Sequence, residues 1–379
     1  MAGHDIHKKI ESVFSIINKK TDARIGFVDM NLWTDSGVYA LNRKLSNDYH
    51  KCILYGSQFG LYGESGSGKS LLLAQMASIE QKKRNAFVLW FDVEGAVSDK
   101  IESIKWFSRI GVDTSDTCFR RVHICTFTDA LSVMAEFVKM WREDEFTKQL
   151  PPLFVVFDSY SHLITDSMVE QNKGKKDLTS DMGQKAKQLG DFLVRTKGMI
   201  EGLRICITGV MHVYMNQDMY GPSHKISGGM KAVFTAAQSL MLTKSEMTNE
   251  WTKKYAPWLT QSNEPEKMKD IIGVKVSAKT LKTRYAKPFE RIDLQAVYGK
   301  GIDKYSGLFD MMLEDNIIIS PSQGWYEFSR PDGTKQKFRK SEFTKYAEEL
   351  LLIPIPERTE LKEEEVDKLL FDENMEEME

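Results

Sequence analysis

No apolar run in the 379-residue chain approaches the ~20 residues that cross a bilayer. The first twenty residues are charged and lack the apolar core of a secretory leader. There are four cysteines, Cys52, Cys118, Cys125 and Cys206, with no Cys-x-x-Cys spacing among them. That disfavours a disulfide scaffold and reads as reduced, mostly buried thiols of a cytosolic protein. No internal repeat is present, and no low-complexity tract apart from the C-terminal tail. Apolar residues at 41% and charged residues at 28% are the ordinary globular mix, which excludes a wholly disordered or collagen-like chain.

The net charge of −2 hides an asymmetry. Glu357–Glu379 holds 11 acids and three bases, so the tail carries −8 and the rest of the chain +6. A mildly basic body with an acidic tail suits a polyanion partner that the tail competes with; a solubilising tail is the plainer alternative. Near the other end, Ile6, Ile10, Val13, Phe14 and Ile17 mark one face of a helix over residues 4–19. That stripe must pack on the parent domain or on a neighbouring subunit.

Short apolar runs at α/β spacing follow. Strands are expected within Lys51–Tyr62 and at Ala86–Phe91, Leu153–Phe157, Leu203–Val210, Leu240–Thr243, Gly273–Ser277 and Ile292–Tyr298. Helices are expected at Ser70–Lys82, Ala130–Trp141 and Met182–Glu201. Strands that alternate with helices and end in polar residues predict an α/β fold with a mostly parallel sheet, functional at the strands' C-terminal edge. Ser159–Ser180 and Val213–Ser227 are polar and read as long functional loops.

Gly63-Glu64-Ser65-Gly66-Ser67-Gly68-Lys69-Ser70 fits G-x-x-x-x-G-K-[ST] in full. Gly63, Gly66 and Gly68 let the backbone curl so that N–H groups point at phosphate oxygens, and the following helix adds its N-terminal charge. Lys69 would reach the β/γ-phosphates, and Ser70 would ligate Mg²⁺. The run Leu153–Phe157 ends in Asp158, placed to hold the metal through water. Glu94, just past the Ala86–Asp92 run, is expected beside the phosphate-loop strand, where a carboxylate can deprotonate an attacking water; a surface acid is the plain alternative. His212, after the Leu203–Val210 run, could touch the γ-phosphate, against the commoner fate of a structural histidine.

The order of these parts resembles the RecA-type recombinase family. Gly301-Ile302-Asp303-Lys304-Tyr305-Ser306-Gly307-Leu308-Phe309-Asp310 and Gly324-Trp325-Tyr326 look like its phage UvsX branch. The resemblance runs from about residue 30 to about 330. It implies a RecA-like P-loop ATPase core that binds ATP and Mg²⁺. Glu94 falls at the catalytic glutamate, Trp106 where an aromatic stacks on adenine, and His212 at the sensor. Met182-Gly183 resembles the end of a first DNA-binding loop that includes Lys173, Lys175 and Lys176. Ser227-Gly228-Gly229 resembles the end of a second loop, with Phe234 touching the next subunit. Lys282 and Arg284 resemble a basic pair that reaches into the neighbour's ATP, with Lys279 as the alternative register. Lys173, Lys175, Lys176, Lys185 and Lys187 form a cationic track suited to phosphates. The residues 245–270 depart from the family as a longer polar insertion holding Trp251, Tyr255 and Trp258; packing is the expected use.

The resemblance implies four regions: a subunit-docking helix at 1–28, an ATPase core at 29–300, a small C-terminal region at 301–356 and an acidic tail at 357–379. It implies a DNA-dependent ATPase that forms helical homo-oligomeric filaments on single-stranded DNA and exchanges strands with homologous duplex. A single-strand-binding protein and a recombination mediator would be partners, in the cytoplasm, of a bacterial host if the protein is phage-encoded. A ring-forming replicative helicase is the alternative, disfavoured because only 62 residues precede Gly63. A non-hydrolysing accessory protein is disfavoured by the intact Glu94 and phosphate loop.

Overall fold

A computed structural model describes residues 31–95, 100–144, 147–172, 182–215, 224–226, 229–248, 251–253, 256–259, 271–298 and 300–356. The helix expected at 4–19, the acidic tail, Lys173, Lys175, Lys176, Ser227 and Gly228 lie outside these residues.

A central sheet carries six parallel strands: β1 (Gln58–Gly63), β2 (Phe87–Asp92), β3 (Phe119–His123), β4 (Leu153–Asp158), β5 (Ile205–Met215) and β7 (Gln238–Thr248). A short β6 (His224–Ile226) pairs antiparallel with the end of β5. Beyond β7 the sheet turns antiparallel through β8 (Ile271–Lys282), β9 (Arg291–Val297) and β10 (Gly301–Ile302). The order across the sheet is β10-β9-β8-β7-β1-β5-β4-β2-β3. The α/β class with a mostly parallel sheet is thus as the sequence implies.

Both faces of the central strands are buried, so they read as continuous apolar runs. Alternate side chains serve opposite layers. Leu61, Trp90, Phe154 and Val156 join a core under α1 (Tyr39–Ser46) and α2 (Lys69–Arg84). Tyr62, Phe91, Val155 and Phe157 join a second core. That core includes Ala130, Met134 and Trp141 of α4 (Phe127–Glu143) and Leu189, Phe192 and Leu193 of α6 (Met182–Ile200). Two shorter helices, α3 (Lys100–Ile110) and α5 (Asp166–Asn172), follow β2 and β4. Helix ends follow local chemistry: Thr126 caps α4 by accepting the Asp129 N–H at 3.0 Å, and Asn85 ends α2 in the left-handed region.

The chain continues through α7 (Lys231–Thr235), α8 (Leu308–Glu314), a three-stranded sheet β11 (Ile319–Ser322), β12 (Trp325–Ser329) and β13 (Lys335–Phe338), and α9 (Phe343–Leu350). Phe309, Phe328, Phe338 and Phe343 share the core of α1 and α2. In the 245–270 stretch, β7 runs to Thr248, the Trp258 indole donates to Asp303 at 3.1 Å, and Lys275 lies over the Trp251 ring. Both tryptophans are therefore spent on packing contacts, while Tyr255 lies outside the described residues.

Three expectations change. The segments Ser159–Ser180 and Val213–Ser227, read as long loops, hold a turn at Tyr160–His162, helix α5 and, at the ends of the second, residues of β5 and β6. His212 does not follow a strand but sits inside β5, because β5 continues to Met215 as one arm of a hairpin with β6. β2 is not beside β1: β5 and β4 stand between them. The segment Phe119–His123, unassigned from sequence, forms the edge strand β3, its exposed arginine and histidine masking the apolar pattern.

The C-terminal segment is tied to α1 by a buried ion pair. Arg43 donates to both oxygens of Asp315 at 2.8 and 2.9 Å, and Tyr49 adds a hydroxyl donor at 2.8 Å. Asp315→Ala strands a guanidinium that is only 8% exposed. It is expected to lower folding stability by about 3–5 kcal/mol in urea titration. A loss below about 1 kcal/mol, the value of an exposed pair, would show that Arg43 escapes to water.

Candidate nucleotide site

The parallel strands deliver their polar ends to one edge. In register, Gly63 of β1 lies opposite His212 of β5, and Asp92 of β2 opposite Asp158 of β4. Although two strands separate β1 from β2, backbone geometry returns Glu94 to this edge. The Asp158 carbonyl accepts the N–H groups of Val93 at 2.9 Å and Glu94 at 3.2 Å. Asp92 Oδ1 accepts the Gly95 N–H at 3.0 Å, and the Arg121 guanidinium holds the same carboxylate. Glu94 Oε1 consequently lies 2.8 Å from His212 Nε2.

The phosphate loop needs its glycines. Gly66 and Gly68 adopt φ of 71° and 85°, where a side chain is strained. At Gly63 the constraint is space: a Cβ there would lie 2.5 Å from the Leu242 carbonyl oxygen and 2.6 Å from Ser67 Oγ. Lys69 is buried and its ammonium donates to the carbonyls of Gly63 at 2.9 Å and Glu64 at 2.6 Å. Burial pushes its pKa down, with Asp158 and Glu94 opposing. A phosphate anion in place of those carbonyls would favour the charged ammonium further.

Ser70 lies on the first turn of α2, with its side chain beside Asp158. The Asp158 Oδ1 atom is buried with no hydrogen-bond partner among the described residues. Desolvation raises this carboxyl to about 6, with the Ser70 side chain opposing. An orphaned buried carboxylate oxygen beside a hydroxyl is an oxygen donor set that fits a hard divalent cation. Sequence reasoning missed Lys244 on β7. Its ammonium donates to the Ser65 carbonyl at 2.8 Å and would meet a Cβ on Gly66 at 3.0 Å. The phosphate loop therefore carries two cations; only spatial pairing of β7 with β1 exposes the second.

Beside the acids lies a cavity of about 240 Å³ lined by Ser70, Trp90, Asp92, Glu94, Trp106 and Asp158, among others. The half-buried Trp106 packs edge-on to Trp90 and Phe107. The structure thus brings Trp106 to the same edge as Lys69, Ser70, Glu94, Asp158 and His212. His162, which sequence reasoning passed over, joins them: its Nδ1 is 2.8 Å from Ser159 Oγ and 3.5 Å from Glu94 Oε1.

The remaining candidates fall elsewhere. Lys282 pairs with Ser239 at the start of β7, five residues along the strand from Lys244, and donates to the Ala236 carbonyl at 2.7 Å. It and Arg284 are not brought to this chain's own phosphate loop; Arg284 lines a separate basic pocket with Arg43, Lys44 and Lys287. Lys279 lies over the Phe289 ring. Met182 opens α6, and Gly183 and Lys187 are exposed on its first turns. Gly229 is exposed at φ 81°, with nothing among the described residues within 4 Å of where a Cβ would lie, and Phe234 is exposed. Lys185 departs from the expected cationic track. It is half-buried and its ammonium donates to the Ser161 carbonyl at 2.7 Å, so that charge is already engaged.

No family model matches the chain. The chain is similar to RecA proteins. Protein RecA of Citrifermentans bemidjiense is 24% identical over 276 residues, 73% of this chain and 70% of that protein. Protein RecA of Geobacter sulfurreducens is 23% identical over 269 residues, covering 71% and 68%. Protein RecA of Syntrophus aciditrophicus is 22% identical over 269 residues, covering 71% and 67%. This similarity supports a RecA-type relationship and agrees with the RecA-like core.

The crowding at Gly63 yields a test of the phosphate loop. Gly63→Ala should fold but lose about fivefold or more in triphosphate nucleotide affinity, since overpacking of about 1–3 kcal/mol falls on the loop itself. Fluorescent-nucleotide titration measures it; parental affinity would mean that the loop adapts.

Proposed function

We propose that the chain is an ATP-dependent recombinase that assembles as a helical filament on single-stranded DNA and catalyses homologous pairing and strand exchange. One observation carries this reading. His212, in contact with Glu94, belongs to β5, the strand that pairs with β6, and in sequence residues 216–223 join those two strands. The segment proposed to meet DNA is thus continuous in sequence with the strand that carries His212.

In this reading the amides of Gly66, Ser67 and Gly68, together with Lys69 and Lys244, hold the β/γ-phosphates. Ser70 and Asp158 hold Mg²⁺, which neutralises phosphate charge when bound. Trp106 flanks the adenine. Glu94 takes the proton from the attacking water, and His212 holds the Glu94 carboxylate in place until a γ-phosphate competes for the imidazole. Lys282 and Arg284, remote from this chain's own loop, serve the adjacent subunit's nucleotide across a filament interface. Exposed Met230 and Phe234 suit the same interface. Lys173, Lys175, Lys176, Met182, Gly183 and Lys187 with Ser227, Gly228 and Gly229 form the DNA-contacting loops. The helix at 4–19 docks on the neighbour, and the tail restrains duplex entry. The Gly301–Asp310 and Gly324-Trp325-Tyr326 motifs favour the phage UvsX branch, with a single-strand-binding protein and a mediator as partners in a host cytoplasm.

Glu94→Gln should keep nucleotide and DNA binding and lose DNA-stimulated phosphate release by ~10²–10⁴-fold. A variant within a few-fold of the parent, well short of that ~10² lower bound, would remove Glu94 from the base role. Electron microscopy with single-stranded DNA and a slowly hydrolysed ATP analogue tests assembly: helical filaments are expected, and isolated rings would sink the recombinase reading.

A further inference from the structure

Two imidazoles flank Glu94, whereas a hard Mg²⁺ ion takes oxygen ligands rather than imidazole nitrogens. His162 is reached from the turn after β4 (Tyr160–His162), and His212 from β5. The two rings stand edge to face with centroids 5.4 Å apart. One donor atom each of Glu94, His162 and His212 lies within 4.8 Å of the others. Glu94 Oε1 is 2.8 Å from His212 Nε2 and 3.5 Å from His162 Nδ1. Bonds of about 2.0–2.2 Å to a tetrahedral zinc ion put its ligands about 3.3 Å apart, so small side-chain rotations complete the set. Both flanking segments are anchored: Ser161 Oγ accepts the His212 N–H at 2.9 Å, and Lys185 donates to the Ser161 carbonyl. Glu94 and His162 are exposed, which leaves an entry path and room for a water as fourth ligand.

We propose that Glu94, His162 and His212 form a binding site for a borderline d-block divalent cation, zinc above all, distinct from the Mg²⁺ position at Ser70 and Asp158. Imidazole nitrogens suit zinc and copper and are poor ligands for magnesium, so excess Mg²⁺ does not displace the ion. The bound cation replaces the hydrogen bond between His212 and Glu94 and exchanges the Ser159 contact of His162 Nδ1 for a coordinate bond. It thereby occupies the Glu94 oxygen and the His212 nitrogen together. Inhibition of hydrolysis follows from this occupancy and rests on the proposed role of Glu94; metal binding itself does not.

A competing pair among the described residues is His123 with Cys125, whose Nε2 and Sγ are 3.9 Å apart on the surface. The test titrates zinc chloride into the full-length protein in excess Mg²⁺ without nucleotide, read by calorimetry and by competition with a chromogenic chelator. The parent should bind an ion that His162→Ala and His212→Ala each weaken by at least about tenfold, the smaller penalty seen even for outer partners of a metal ligand. Cys125→Ser should bind as the parent does, and thermal melts of the metal-free variants verify that each is folded. X-ray absorption should show two imidazole ligands with the remainder oxygen. Parental affinity in both histidine variants, or loss confined to Cys125→Ser, overturns the site. Zinc should also inhibit phosphate release by the parent, with a higher concentration needed for His162→Ala. Binding as expected without inhibition would leave the metal site standing and refute the role given to Glu94.

Discussion

The backbone carbonyl of Asp158 fixes where Glu94 sits on the candidate nucleotide edge. By accepting two successive N–H groups, from Val93 and Glu94, it fixes where the chain goes after β2. Parallel pairing alone leaves β2 two strands away from β1. The carbonyl converts that lateral separation into a turn that sends Glu94 back along the edge to His212 on β5. Asp92 secures the same turn from the other side, through Arg121 and the Gly95 amide. The carboxylate with the clearest chemical opportunity thus owes its position to neighbours whose own side chains face other tasks.

Electrostatics makes this edge poorly satisfied as it stands. Lys69 is buried and leans on loop carbonyls, which stabilise an ammonium less than an anion would. Asp158 keeps one oxygen buried and unpaired while desolvation raises its pKa. Each group costs free energy where it sits. A phosphate beside Lys69 and Lys244, with a divalent cation beside Asp158, relieves both penalties together. The contrast with Arg43 and Asp315 is instructive: that buried pair is mutually satisfied by two bonds and a tyrosine hydroxyl, and it joins elements without offering a ligand position.

Much of the fold was legible because burial on two faces leaves continuous apolar runs. Leu153–Phe157, Ala86–Phe91 and the Gly63–Ser70 loop announce themselves within a few residues. What was not legible depends on long-range pairing. Phe119-Arg120-Arg121-Val122-His123 carries too much charge to read as a strand until β2 supplies its partner. Lys244 reads as a surface lysine until β7 pairs with β1 and sets it over Ser65. His162 gives no local signal of a site: beside its local contact with Ser159, Glu94 reaches it from the segment after β2 and His212 from β5. The cation count misled in the other direction: Lys185 has the spacing of a DNA-facing lysine, yet its ammonium is turned to the Ser161 carbonyl.

That inward turn of Lys185 bears on how the two edges of the molecule can sense one another. Lys185 lies on the first turn of α6, three residues past Met182, and holds the carbonyl of Ser161. The hydroxyl of the same serine accepts the His212 amide, and the His212 ring meets Glu94. A second route enters His212 along its own strand from the β5–β6 hairpin. Both routes are short, and both end on one hydrogen bond of the Glu94 carboxylate. A hydrogen bond to a charged group is worth about 1.5–3 kcal/mol, which matches the usual size of a coupling energy between two sites, about 1–3 kcal/mol. Making or breaking that single bond is therefore enough, in magnitude, to link the state of the loops to the freedom of Glu94, without any larger rearrangement of the sheet that carries them.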